Sequence, residues 1–133
     1  MACTTYNFGL TVCTFPHRDF KNHACGMCSV TSLGSYDPTK GGHLVLWDLG
    51  LVVEFPPYST ILLPSAIILH GNTLIGQHEM RMTVTQYNAS SLFLWSAIGN
   101  MAQKSSTTVA SWWKHPKHVF SRVGELVERV SRR

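Results

Sequence analysis

Charge is scarce in this 133-residue chain, and acid is scarcest: 14% of residues are charged, with seven Asp and Glu against eleven Lys and Arg. That scarcity, with 44% hydrophobic and 11% aromatic content, excludes a solvated disordered coil. Long apolar runs are missing too. Pro, Asp or Glu interrupts each one well short of a membrane span, so no transmembrane helix is expected. Met1-Ala2-Cys3-Thr4-Thr5-Tyr6 lacks the basic segment and apolar run of a secretory leader, and we expect an intracellular protein. In that setting the four cysteines are expected to be thiols or ligands, not disulfides. Only Cys25 and Cys28 form a tight pair, where a zinc ribbon usually has two. A zinc site completed by Cys3, Cys13, His17 or His23 is therefore the alternative to buried thiols, with His43 and His78 as further spare ligands.

The charge that is present is unevenly placed. Residues 1–113 hold five Lys or Arg and five acids, whereas residues 114–133 hold six Lys or Arg and two Glu. The whole net charge of +4 therefore lies in the last twenty residues. After Pro116, the positions Val119, Phe120, Val123, Leu126, Val127 and Val130 fall at spacings of three and four, which predicts a basic amphipathic helix. A basic tail also steers towards phosphate. We divide the chain into a core of residues 1–96 and a segment 97–133 made of a linker and this helix.

The core reads as strands and turns. Residues 4–15 are rich in β-branched and aromatic types and lead into His17. Further strands are expected at Cys25–Leu33, His43–Trp47, Leu51–Phe55, Thr60–Leu63, Ala66–His70, Arg81–Tyr87 and Leu92–Trp95. Asp37-Pro38-Thr39-Lys40-Gly41-Gly42 and Pro56-Pro57-Tyr58-Ser59 punctuate them as turns. About eight short strands with regular turn signals predict an all-β sandwich or barrel.

One constellation stands out. His17 and Asp19 alternate about Arg18, so an extended segment turns both to one side. His70 ends another expected strand, and Arg81 opens the next. Two imidazoles and a carboxylate are the facial ligand set of non-haem Fe(II), which leaves positions open for other ligands. A 2-oxo acid fills two of them, and its far carboxylate needs a cation, best supplied by a forked guanidinium such as Arg81. Thr83, two residues on, offers a hydroxyl on the same strand face.

The order His17-x-Asp19, Gly41-Gly42-x-Leu44, His70, Arg81-x-Thr83 resembles the 2-oxoglutarate/Fe(II) dioxygenases. Asn7 to Asn22, Gly41 to Pro57, Ile61 to Ala66 and His70-Gly71-Asn72 resemble more closely the fungal branch of the TET/JBP-like enzymes, over residues 5–96. The resemblance implies a double-stranded β-helix, the jelly-roll or cupin-like barrel, with His17, Asp19 and His70 as iron ligands and Arg81 as the 2-oxoglutarate anchor. It implies oxidation of the methyl group of 5-methylcytosine or thymine in nucleic acid, DNA ahead of RNA, and so a nuclear location. Asn22 falls where relatives touch an extruded base; for Asn7 the expectation is contact with the oxo acid or a held water, with ordinary strand-edge bonding as the alternative. The pattern departs in places. A Gly of the family turn is replaced by Tyr58, an Arg by Leu94, and the N-terminal region of relatives is missing. The alternative expectation is thus a catalytically inactive, truncated jelly-roll module of transposon-associated origin.

Overall fold

The computed structural model describes residues 1–97 together with Gly99 and Asn100. The expected linker, Trp112-Trp113 and the basic helix after Pro116 lie outside the described residues. Met1–Ala89 is one compact unit, and a second begins at Ser90. In chain order the elements are β1 Cys3–Asn7, β2 Cys28–Ser35, β3 Leu44–Leu46, a 3-10 turn Trp47–Leu49, β4 Leu51–Val53, β5 Thr60–Leu63, β6 His70–Asn72, β7 Met80–Tyr87 and α1 Ser90–Ala97.

The described chain is all-β apart from α1. Seven strands form two antiparallel sheets, one in the order β1-β7-β2-β5 and the other β4-β3-β6. From β4 onward the chain changes sheet at every strand: β5 in the first, β6 in the second, β7 in the first again. The sheets meet through a small core of Leu44, Leu46, Phe55 and Leu63, with Val30, Val53, Ile61 and Ile68 around it. Leu44 and Leu46 alternate with the half-buried Val45, so β3 turns one apolar face inward.

Two glycines are required by close approach. Gly42 has φ +72°, and a Cβ there would lie 2.6 Å from the Tyr36 ring. Only glycine therefore closes the turn after Asp37 and lets Tyr36 stay buried, where its hydroxyl donates to the Phe55 carbonyl and pairs with Ser32 Oγ at 2.7 Å. At Gly71 a Cβ would lie 2.7 Å from the Thr14 carbonyl oxygen and 3.1 Å from the Trp47 ring. Its absence allows residues 14–17 to run beside β6.

Several expected elements differ. The strand predicted over 4–15 stops at Asn7, then turns at Leu10 and changes partner. Residues 3–7 pair with β7, Thr11 bridges Arg81 in the parallel sense, and His17 bridges His70. The strand expected over Ala66–His70 is a turn instead: Ile67 and Ile68 both donate to the Pro64 carbonyl at 3.1 Å, and pairing resumes only at His70. The strand expected over Leu92–Trp95 is helix α1. A four-residue apolar run has no diagnostic period, and Ser90-Ser91 before it suits a helix start. That helix ends on left-handed Gly99 and Asn100, whose N–H groups return to Ser96 and Trp95.

Candidate metal centre

The site is assembled where residues 14–19 lie against β6. His17 and His70 exchange both backbone hydrogen bonds, at 2.9 and 3.0 Å, and Asn72 donates to the Thr14 carbonyl at 3.2 Å. The buried Asn72 side chain tightens this pairing. Its Oδ1 accepts from Thr14 N and Thr14 Oγ1 at 2.9 and 2.7 Å, and its Nδ2 donates to Val12 O at 3.1 Å. Opposed residues of an antiparallel pair project to the same face, so the two imidazoles stand together with ring centroids 4.4 Å apart. Asp19 joins them because its N–H is held by Ser65 O at 2.9 Å. One ligating atom from each of His17, Asp19 and His70 lies within 4.8 Å of the others.

The hydrogen bonds of the imidazoles settle which nitrogen is free. His17 Nδ1 lies 2.8 Å from Phe15 O, and His70 Nδ1 lies 2.9 Å from Ile68 O. A carbonyl oxygen only accepts, so both Nδ1 atoms carry hydrogen, which leaves Nε2 as the nitrogen of each ring that can offer a lone pair to a metal. Those Nε2 atoms lie 3.7 Å and 3.9 Å from the two Asp19 oxygens. Cis ligands with bonds of about 2.1 Å stand roughly 3 Å apart, so small side-chain rotations bring the three donors onto one ion. Backbone carbonyls behind both imidazoles are the usual second layer of a metal site. The donor set thus fits a divalent transition metal in number, tautomer and spacing.

Asp19 is also braced. Asn22 Nδ2 donates to Asp19 Oδ2 at 3.3 Å and to Ser65 Oγ at 3.0 Å. The buried Cys28 thiol shares this environment. Burial pushes its pKa up, a Ser65 hydrogen bond acts the other way, and the Asp19 charge adds to the rise. Cys28 is therefore a protonated structural thiol. Among the described residues neither Cys25 nor Cys28 gathers with other ligands into a metal-binding group, and His43 and His78 lie outside the one group that forms.

Arg81 is 2% exposed. Its Nη1 donates to Val12 O at 3.2 Å, its guanidinium sits 5.9 Å above the Phe55 ring, and its buried Nε has no hydrogen-bond partner. Among the described residues no carboxylate lies within ion-pair distance of it. A buried cation left this way is costly unless a ligand supplies the anion. Thr83 is buried next along the same face of β7, and its Oγ1 accepts from Asn7 Nδ2 at 3.0 Å. All seven residues singled out from the sequence (Asn7, His17, Asp19, Asn22, His70, Arg81 and Thr83) line one cavity of about 500 Å³. Phe20 and Lys21 line it too and are exposed, with Phe20 81% open to solvent.

The supporting residues Asn72, Ser65, Asp48 and Phe55 fall within the runs that carry the resemblance, but no residue type among them announces a role at the site. Ser65 opens the turn before His70, and Asn72 closes the strand that His70 begins. Scanned against known protein families and against curated proteins, the chain finds no match in either.

Proposed function

We propose that this chain is an Fe(II)- and 2-oxoglutarate-dependent dioxygenase of TET/JBP type on a double-stranded β-helix, oxidising the methyl group of a modified pyrimidine in DNA, and so nuclear. The observation that carries the reading is the pairing, in one cavity, of a two-imidazole, one-carboxylate cluster with a buried, anion-free guanidinium. A metal-binding cluster alone would suit many functions. A buried cation lining the same cavity adds the requirement for a small acid that reaches both. The alternation of β5, β6 and β7 between two sheets supports the jelly-roll reading.

His17 Nε2, His70 Nε2 and Asp19 would hold the iron. Bound iron supplies the redox chemistry that couples oxidative decarboxylation of the oxo acid by dioxygen to hydroxylation of a C–H bond. Arg81 takes the far carboxylate of 2-oxoglutarate, and Thr83 and Asn7 add hydrogen bonds beside it. Val12, Val30 and Leu44 give that part of the cavity apolar walls, which keep water from the acid and strengthen its ion pair. Phe20, Lys21 and Asn22 stand where an extruded base enters. Residues 1–100 hold four Lys or Arg and five acids, so attraction for the phosphate backbone falls to residues 114–133.

The test is succinate release by the iron-loaded chain from 2-oxoglutarate in the presence of oligonucleotides containing 5-methylcytosine or thymine, followed by mass spectrometry of the nucleosides. Release that depends on Fe(II), 2-oxoglutarate and the methylated base is expected, and Asp19→Ala abolishes it in a chain that still folds. A folded, iron-loaded chain that binds 2-oxoglutarate but turns nothing over would leave the alternative, an inactive jelly-roll module.

A further inference from the structure

We infer that Arg18 and Asp48 form a strut that aims His70, and so sets the spacing of the three donors. The inference rests on the metal-site reading above but concerns residues outside the donor set. Arg18 stands between His17 and Asp19, and its guanidinium is engaged by Asp48 and Ile67. Its Nη2 lies 3.0 Å from both Asp48 oxygens, and its Nε donates to Ile67 O at 2.9 Å. Asp48 Oδ2 in turn accepts the Leu69 N–H at 2.7 Å. Trp47 N, one residue earlier, donates to Leu69 O at 3.0 Å.

These contacts fall on either side of one carbonyl. Ile67 is held by Arg18 and Leu69 by Asp48, and the residue between them is Ile68. The Ile68 carbonyl is the acceptor that fixes the His70 tautomer and points Nε2 at Asp19. One ion pair thereby joins the segment carrying His17 and Asp19 to the segment that orients His70. The geometry also demands these residue types. Only a guanidinium reaches Asp48 through one nitrogen and the Ile67 carbonyl through another. Only a carboxylate accepts from the guanidinium and a backbone N–H together without a donor of its own. Arg18 and Asp48 are positioning residues, since they act through Ile67, Ile68 and Leu69.

The experiment compares the full chain with its Arg18→Lys and Asp48→Asn variants. Long-range 1H–15N spectra of the metal-free proteins read the His70 tautomer, Co(II) titration reads the site, and thermal unfolding reads the fold. The wild type is expected to show a single Nδ1–H tautomer at His70. In both variants the two ring nitrogens should become averaged and Co(II) affinity should fall about 10- to 100-fold, the usual cost of losing outer-layer support, in proteins that still unfold cooperatively. Arg18→Lys keeps the charge, so its failure separates fork geometry from simple attraction. Unchanged His70 spectra and unchanged Co(II) affinity in both variants would overturn the strut, whatever happens to thermal stability. A wild type that binds no Co(II) would sink the metal-site reading instead, and the His70 spectra of the metal-free chain would still decide the strut.

Discussion

Arg81 lies over the ring of Phe55, 5.9 Å from its centroid, and this aromatic face and the Val12 carbonyl stand in for a carboxylate, which no described residue brings within ion-pair distance. A cation–π contact of this kind is worth about 0.5–2 kcal/mol, less than the cost of burying a guanidinium with one nitrogen unbonded. Stability and binding should therefore move in opposite directions at this position. Arg81→Met keeps the volume and removes the unpaired charge. We expect the unliganded variant to be more stable to urea by about 1–3 kcal/mol, on the usual cost of an unsatisfied buried polar group. Isothermal titration should find that the same variant no longer binds 2-oxoglutarate. A variant that is both destabilised and still binds the acid would show that Arg81 is a structural residue.

Tyr58 predicts a stabilising change. It sits at φ 65°, in the left-handed region, with its side chain 76% exposed. The left-handed conformation costs a residue with a Cβ about 1–2 kcal/mol, and the exposed ring returns little through packing. The turn needs this conformation, because Tyr58 N donates to Ser32 O at 2.7 Å and Ser59 N returns to Pro56 O. Tyr58→Gly keeps both bonds. After the extra chain entropy of glycine in the unfolded state, a net gain of about 0.5–1 kcal/mol should appear as a higher urea midpoint with an unchanged slope.

How far the sequence revealed the site follows from the same turns. β5 was legible to the residue, because Pro57 and Pro64 bracket an apolar run of strand length. His17, Asp19, His70 and Arg81 were legible because their residue types already carry the chemistry. Ala66-Ile67-Ile68-Leu69 has strand composition and so predicts a strand up to His70, whereas Pro64 supplies a carbonyl that two following N–H groups share and makes it a turn. Nothing local marks Asp48 or Asn72 as supports. Their value depends on Leu69 and Thr14 arriving beside them, and those contacts span 21 and 58 residues.

The loop before β3 should hold its shape into acid. Lys40 Nζ lies 2.9 Å from Asp37 Oδ2, and the Thr39 hydroxyl and N–H both donate to Asp37 Oδ1. The Lys40 contact first, then those of Thr39, lower the Asp37 pKa to about 2. The folded value is depressed below the unfolded one, so the stabilisation is fully present above about pH 4. It is lost as pH falls from there through about 2. Carboxyl 13C titration should show Asp37 ionised at pH 3, and Lys40→Met should move its midpoint up towards the usual carboxylate range. An unmoved midpoint would assign the shift to Thr39 alone.

Gly71 tests whether packing beside the site sets its chemistry. It follows His70 directly, and the space where its Cβ would stand is taken by the Thr14 carbonyl and the edge of Trp47. Both are hard to displace: Thr14 O accepts the Asn72 N–H, and Trp47 N is tied to Leu69 O. In Gly71→Ala we expect residues 14–17 to lift away from β6 while Arg18 and Asp19 stay tied to Ile67, Asp48 and Ser65, since residues 14–17 are held to β6 only by the His17–His70 pairing and the Asn72 contacts. Overpacking of this size costs about 1–3 kcal/mol. Lifting the segment also carries His17 away from His70. Co(II) affinity should therefore fall by more than tenfold, while the β1-β7-β2-β5 sheet on the other side of the core keeps its amide exchange protection. If the variant loses stability but binds Co(II) as tightly as the wild type, the strain has gone into Trp47 instead, and the His17 segment is held by more than its pairing with β6.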